Sequence, residues 1–180
     1  GALAKGTIIV DMSSSEPSGT RELAAHLARH DVTLIDAPVS GGIPGAQAGT
    51  LTLMIGTDDD KAVERVTPVL QTMGQKLFRT GAAGSGDVMK ALNNYLAAAN
   101  FRAASEAMMM GQKFGLDPAQ ILEIVNVSSG RNSATEFIFK NQVLTGKYGA
   151  GFALGLMAKD VKIASDLAGE LGVMAPVCAV

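Results

Sequence analysis

Cysteine, histidine and tryptophan are scarce in this chain of 180 residues, which has one cysteine, two histidines and no tryptophan. The single Cys178 excludes an internal disulfide, and there is no group of cysteines to bind a metal. His26 and His30 are four residues apart, but zinc needs a third ligand and the sequence places none beside them. We therefore interpret both histidines as surface residues and expect no metal site.

An excess of positive charge and a long apolar run are also missing. The 15 Lys and Arg residues are outnumbered by 17 Asp and Glu, so the net charge of −2 offers no attraction for a phosphate backbone. No apolar run reaches the ~18 residues that a bilayer span requires. We expect neither nucleic acid nor a membrane as a partner. The expected location is cytoplasmic, and any targeting segment would precede Gly1.

The first half of the chain alternates short apolar runs with amphipathic helical patterns. This pattern predicts strands at residues 7–10, 32–37, 51–55 and 76–79, and helices at residues 17–29 and 60–73. Ser15 is a candidate N-cap of the first helix, and Pro17 lies in its first turn. Such alternation is typical of a largely parallel or mixed α/β sheet.

After residue 82 the pattern becomes helical throughout. An Ala- and Met-rich stretch predicts a long helix at residues 86–114. Three further helices are predicted: one that begins at Asp117, one at residues 133–144 and one at residues 156–171. We expect Met108–Met110 to fill the core, and Asp87 and Glu106 to be solvated helix charges. The fold class is therefore α/β followed by all-α. The expected domains are residues 1–82 and residues 83–180.

A glycine-rich turn at Gly81–Gly86 leads directly into the long helix, which carries Lys90 and Asn94. Positions i and i+4 lie on the same face of a helix, so an ammonium group and a carboxamide point the same way. This spacing suits a proton donor with an orienting partner. The alternatives are an exposed helical lysine and an asparagine that satisfies a backbone group, as Asn93 would do equally well.

A second glycine-bearing segment, with Ser40, Gly41 and Gly42, follows a predicted strand. Glycine permits close backbone approach, and a hydroxyl beside successive N–H groups forms an anion site without a fixed cation. The segment therefore predicts a binding site for a small carboxylate. The alternative is a simple turn after a strand.

These motifs, taken in order, resemble those of the β-hydroxyacid dehydrogenase family, which includes 3-hydroxyisobutyrate dehydrogenases, tartronate semialdehyde reductases and glyoxylate/succinic semialdehyde reductases. The resemblance covers essentially the whole chain, and four ordered motifs are more specific than any one of them. The four matching segments are Asp11–Ser14, Asp36–Gly42, Gly84–Gly86 with Lys90 and Asn94, and Phe152 with Lys159–Asp160.

The resemblance implies a fold and a reaction. The expected fold is the C-terminal part of a Rossmann-type NAD(P)-binding domain joined to an incomplete all-helical domain like that of 6-phosphogluconate dehydrogenase. The expected cofactor is NAD or NADP, and the expected substrate is a small β-hydroxyacid or semialdehyde. Lys90 would be the general acid/base, Asn94 would orient it, and Ser40, Gly41 and Gly42 would bind the substrate carboxylate. The long helix and the C-terminal domain would form a homo-oligomer.

The resemblance also assigns three residues to the cofactor side. Ser14 would contact the ribose or nicotinamide, and Phe152 and Lys159 belong to a segment that closes over the nicotinamide. For Ser14 the alternative is helix capping by one of three consecutive serines. For Lys159 it is a surface ion pair with Asp160 or Asp166.

The sequence departs from the family by having no G-x-G-x-x-G turn, which holds the pyrophosphate in a dinucleotide-binding βαβ unit. We therefore expect the chain to be a fragment that is inactive by itself. Two alternatives stay open. One is an imine reductase on the same scaffold, although such relatives often have Asp where this chain has Lys90. The other is a non-catalytic dimerisation or interaction module.

Overall fold

The computed structural model describes residues 3–179. In this range the first part of the chain alternates strands and helices, and the second part is helical. The five strands β1–β5 are Ile8–Asp11, Thr33–Asp36, Val39–Ser40, Thr52–Gly56 and Lys76–Gly81. The six α-helices α1–α6 are Pro17–Ala28, Gly42–Ala48, Asp60–Leu70, Ser85–Phe114, Pro118–Asn126 and Leu154–Glu170. A π-helix covers Ala134–Val143, and a short 3₁₀ helix covers Pro176–Ala179.

The sheet is mixed, and one long extended segment changes its partner within it. β1 and β2 are parallel, whereas β3 is antiparallel to β4 and β4 is parallel to β5. Asp36 pairs with Gly56 in the same antiparallel register in which Ser40 pairs with Thr52. β2 and β3 are therefore one segment that leaves β1 and joins β4 near Pro38, which has no N–H to donate.

The structure divides into two compact units, and the division falls within α4. The first unit comprises the residues up to Asn93 together with Lys162–Ala175. Its core lies around β2 and β4, where burial of each large aliphatic side chain contributes about 1.5–3 kcal/mol. The buried residues of this core are Ile35, Ala37, Leu51, Leu53, Ile55, Ala62 and Leu70.

The second unit comprises Asn94–Val161 and the residues from Pro176 onward. Its core is formed by the second half of α4, α5 and the π-helix, with buried Ala104, Met108, Leu122, Ala134 and Phe139. Phe101 stacks at a tilt on Phe139, with 5.4 Å between ring centroids. Across residues 3–179, none of the helices combines the length and the apolar character that a membrane span requires.

The predicted fold class is confirmed, while several details differ from the sequence analysis. No strand occurs in residues 82–179. β3 and α2 were not expected, because a two-residue strand and a seven-residue helix leave no apolar period to read. The helix predicted at residues 133–144 is a π-helix, which an apolar pattern over ten residues does not distinguish from an α-helix. The domain boundary between residues 82 and 83 stays a prediction.

Two assignments of side chains to the core or the surface were wrong. Met108 is buried as expected, but Met109 and Met110 are exposed. Asp87 is buried rather than solvated, being only 2% exposed. Glu106 is exposed as expected and forms an ion pair with Arg102 at 3.1 Å.

Candidate active site

The first turn of α4 is fixed to the sheet by the carboxylate of Asp36. The backbone N–H of Gly84 donates to Asp36 Oδ1 at 2.8 Å, and the N–H of Asp87 donates to Oδ2 at 3.1 Å. Asp36 is 1% exposed and lies at the end of β2. Its carboxylate therefore satisfies two backbone donors that would otherwise lack partners at the start of the helix.

The glycines before and within this turn are required by packing. Gly84 has φ +85°, and a Cβ there would lie 2.8 Å from the carbonyl oxygen of Pro17. A Cβ on Gly86 would overlap the carbonyl oxygen of Met54 and approach a carboxylate oxygen of Asp36 to 2.7 Å. The start of α4 thus lies directly against β2 and β4, closer than any residue with a side chain permits.

Lys90 follows Gly86 by four residues on α4 and is half-buried. It therefore lies on the helix face that begins with the close contact of Gly86 against the sheet. Asn94 continues the same face one turn later, at the point where the second unit begins. Lys90 is therefore not fully exposed, and its catalytic role stays a prediction.

Ser40, Gly41 and Gly42 form the turn between β3 and α2. Ser40 is half-buried and ends the extended segment that begins as β2. Gly41 has φ +135° and Gly42 has φ +61°, both in the region that favours glycine. A Cβ on Gly41 would also lie 3.0 Å from Leu51 Cδ2. The turn connects a strand to a short helix, and its role in binding a carboxylate stays a prediction.

The serines after β1 do not cap α1. The N-cap residue is Glu16, which makes no side-chain capping bond, and Pro17 is the first helical residue. Ser15 instead donates its backbone N–H to Asp87 Oδ1 at 3.2 Å, so the expected capping role of Ser15 is wrong. Ser14 is half-buried beside this contact, and its role toward a cofactor stays a prediction.

Asp87 links the start of α4 to the segment that follows β1. Its Oδ2 accepts a hydrogen bond from the Thr20 hydroxyl at 2.7 Å, in addition to the bond from Ser15. The pKa of Asp87 is raised to about 6, mainly by burial and also by the charges of Asp36 and Asp11, against the lowering effect of the two hydrogen bonds. Burial also raises the pKa of Asp36, although the N–H groups that it binds oppose this.

The sequence analysis missed the roles of both carboxylates. Asp36 lies in one of the matching segments but had no expected function, and Asp87 was expected to be a solvated helix charge. The only available signal was the position of Asp87 in the first turn after Gly84–Gly86, where close packing leaves little room for water.

In the second unit, Asn94 has a partner that was not anticipated. Its amide Nδ2 donates to Asp160 Oδ2 at 2.5 Å, and both side chains are buried. The Lys159 ammonium lies 2.8 Å from Asp160 Oδ1, so the expected ion pair with Asp160 exists, while Asp166 pairs with Lys162. Asp160 is buried rather than at the surface.

Phe152 precedes α6 and is 45% exposed, whereas Lys159 lies within that helix. The exposed ring is available for contact with a flat apolar group. The assignment of Phe152 and Lys159 to the cofactor stays a prediction.

The turn between β1 and α1 does not fit a dinucleotide pyrophosphate. In the part of the chain that the structure describes, this turn contains no glycine, and Glu16 occupies the N-cap of the helix. A carboxylate there opposes the binding of a second anion at the helix N-terminus. The fit of Ser14, Phe152 and Lys159 to the nicotinamide side of a cofactor stays a prediction.

Comparison with known proteins places this arrangement in a family. A family model described as the NAD-binding region of NADP-dependent 3-hydroxyisobutyrate dehydrogenase matches residues 84–180, which is more than half of the chain. A second model, described as the NAD-binding domain of 6-phosphogluconate dehydrogenase, matches residues 1–81. Both descriptions agree with the expected cofactor, NAD or NADP.

Individual relatives agree with the family models. The 2-(hydroxymethyl)glutarate dehydrogenase of Eubacterium barkeri is 40% identical over 97% of this chain and 58% of its own length. The NAD-dependent L-serine dehydrogenase of Pseudomonas aeruginosa is 37% identical over 92% of this chain and 57% of its own length.

A solved structure of the same family is also similar to this chain. The Mycobacterium tuberculosis 3-hydroxyisobutyrate dehydrogenase, solved with L-serine, superposes with a TM-score of 0.89 at 31% identity, over 98% of this chain and 62% of that one. The chain thus spans somewhat more than half the length of these relatives. From the match to its sequence and the agreement of its fold, the chain belongs to the β-hydroxyacid dehydrogenase family.

Proposed function

We propose that the protein carrying this chain interconverts a small β-hydroxyacid and the corresponding semialdehyde, with NAD or NADP as the hydride carrier. The three relatives described above are named for 2-(hydroxymethyl)glutarate, L-serine and 3-hydroxyisobutyrate. Each of these compounds has a primary alcohol on the carbon next to the one that bears a carboxylate. We extend this shared group to the substrate of the present chain.

Lys90 is proposed to move the proton. The nicotinamide, when bound, accepts or supplies the hydride at the substrate carbon. During oxidation the uncharged amine of Lys90 takes the hydroxyl proton, and during reduction its ammonium returns a proton to the carbonyl oxygen. Asn94 is proposed to orient this exchange from the next turn of α4.

Ser40, Gly41 and Gly42 are proposed to bind the substrate carboxylate. They lie where the extended segment ends and α2 begins, so the hydroxyl of Ser40 is accompanied by the backbone N–H groups of the turn. The two glycines adopt positive φ values without strain, so the backbone can turn directly after Ser40. Ser14, Phe152 and Lys159 are proposed for the nicotinamide side.

The observation that carries this proposal is the position of Lys90. It lies half-buried, one turn after a glycine that packs against β2 and β4, in a chain that belongs to a dehydrogenase family. A polar group on a buried face, beside a turn built for close backbone approach, is the arrangement of a site rather than of a solvated helix surface.

The test is to replace Lys90 by Ala in the complete gene product. We expect kcat for oxidation of β-hydroxyacids to fall by about 10²–10⁴, because the proton then has no positioned acceptor. Lys90→Arg should be equally impaired, since a guanidinium holds its proton at every working pH. Lys113→Ala is the matched control, because Lys113 is an exposed lysine in the last turn of the same helix.

Three results would contradict the proposal. Activity of Lys90→Ala within a fewfold of wild type would remove Lys90 from the reaction. Turnover of cyclic imines without turnover of semialdehydes would favour the imine reductase alternative. A complete gene product that binds neither NAD nor NADP would favour the interaction module.

A further inference from the structure

The cap of α4 differs in kind from the caps of α3 and α5. Those two helices are capped locally: Asp59 accepts from the N–H of Ala62 at 3.0 Å, and Asp117 accepts from the N–H of Gln120 at 2.9 Å. α4 is capped by Asp36, whose partner Gly84 lies 48 residues later in the chain. A local cap stabilises only the end of its own helix, whereas this one fixes the helix relative to a strand.

The two hydrogen bonds of Asp36 lie close in sequence to Ser40, in the proposed carboxylate site, and to Lys90, the proposed proton-transfer residue. Asp36 precedes Ser40 by four residues within one antiparallel register, so the backbone between them is held by pairing with β4. Asp87, whose N–H donates to Asp36, precedes Lys90 by three residues on a continuous helix. The first connection is held by strand pairing and the second is a helix, and both leave the backbone little freedom to shift.

The packing around these bonds holds the start of α4 closely against the sheet. Gly86 lies against the carbonyl oxygens of Met54 and Asp36, where even a methyl group would overlap. On the opposite side, Asp87 is held by the N–H of Ser15 and the hydroxyl of Thr20. The start of α4 is thus fixed between two segments, and Asp36 provides the link to the one that ends at Ser40.

We propose that Asp36 is a positioning residue for the reaction: its buried carboxylate fixes the first turn of α4 on β2 and so sets the position of Lys90 relative to Ser40–Gly42. The inference rests on the proposed function, because it assigns Asp36 a role through Lys90. Asp36 itself does not touch substrate in this proposal. It acts by holding Lys90 beside the reacting oxygen of a substrate whose carboxylate is bound by Ser40–Gly42.

Asp36→Asn in the complete gene product tests this role. The amide keeps the size of the side chain but offers one acceptor oxygen instead of two, so one of the N–H groups of Gly84 and Asp87 loses its partner. We expect kcat to fall at least tenfold, as displacements of about 1 Å commonly do, with KM for the acid changed less than about threefold. KM is spared because Ser40 stays paired with Thr52 of β4.

Asp59→Asn is the matched control. Asp59 is also a carboxylate cap in the first unit, but its helix carries none of the proposed site residues. Its kcat should equal that of wild type. An unchanged kcat in Asp36→Asn, or an equal loss in both variants, would overturn the inference.

Amide hydrogen exchange of this chain separates the inference from the proposed function. In the wild type, the amides of Gly84 and Asp87 should exchange as slowly as those of β4, and in Asp36→Asn the amide that loses its acceptor should exchange at least about tenfold faster. Fast exchange of these two amides in the wild type would overturn the inference even if Asp36→Asn does not fold. Slow exchange together with a complete wild-type gene product that turns over no β-hydroxyacid would instead contradict the proposed function, and the positioning role of Asp36 in the reaction with it.

Discussion

At the scale of single residues, Asp87 shows how burial raises the pKa of a carboxyl group. The folded protein retains a proton on Asp87 up to about pH 6, whereas the ordinary pKa is 3.8. Folding therefore takes up a proton between these values, and the unfolded state binds fewer protons there. The contribution to stability is fully present below pH 3.8 and is lost as the pH rises to about 6.

We predict that Asp87→Asn removes this pH dependence. Because asparagine does not titrate, the free energy of unfolding of wild type relative to the variant should fall by roughly 2 kcal/mol between about pH 4.5 and about pH 7. Urea unfolding of both proteins at the two pH values measures the difference. The control is Glu106→Gln, whose exposed carboxylate should give a small and nearly constant difference. Parallel curves for wild type and Asp87→Asn would show that Asp87 has an ordinary pKa when folded.

The same residue marks a limit of sequence reasoning. Lys90, Asn94 and Ser40 could be proposed as site residues from local motifs, because residue type and spacing are visible in the sequence. The burial of Asp87 and its bond to Thr20 depend on how α4 docks beside α1, across a separation of 67 residues. No period or turn signal encodes that contact. The partnership of Asn94 with Asp160, 66 residues later, was missed for the same reason.

At the scale of elements, the junction of α4 with the sheet is where glycine is indispensable. Gly86 lies within the first turn of α4, in a place that would ordinarily favour alanine. The gain in helix propensity from a methyl group, about 1 kcal/mol, is outweighed because that group would overlap the carbonyl oxygen of Met54. The helix would have to move away from β4.

We predict that Gly86→Ala destabilises the first unit by about 1–3 kcal/mol, as overpacking of a tight contact does. Gly19→Ala is the control: Gly19 lies within α1 with nothing within 4 Å of its added Cβ, so this variant should be stabilised by about 0.5–1 kcal/mol. Denaturant unfolding of the two variants beside wild type measures both effects. A Gly86→Ala protein as stable as Gly19→Ala would mean that α4 does not pack this closely on the sheet.

Element boundaries were predictable where capping chemistry is local. α3 begins after Asp59 and α5 after Asp117, and both aspartates accept hydrogen bonds from N–H groups three residues later. The path of residues 37–48 was not predictable, because the strand changes its partner at Pro38 and the helix that follows contains Pro44 and two glycines. Pairing with β4, not local propensity, gives Val39 and Ser40 their extended conformation.

At the scale of the whole molecule, α4 carries an apolar surface beyond the proposed site. Leu96, Met110 and Phe114 are 56%, 66% and 86% exposed, although each is large and apolar. Leu96 and Phe114 are 18 residues apart, which is five helical turns, and Met110 lies one turn before Phe114, so the three share one face. Ala99 and Ala103 continue this face between them and would allow another helix to approach closely.

We predict that this face joins two copies of the protein. Met110→Glu should convert the oligomer of the complete gene product into monomers, because it places an unpaired charge in an apolar contact. Light scattering coupled to size-exclusion chromatography measures the mass directly. Gln112→Glu adds the same charge about 200° around the helix and should leave the oligomer intact. Dissociation by both variants would point to net charge rather than this face, and a wild-type protein that is monomeric at micromolar concentration would show that something other than a second copy covers it.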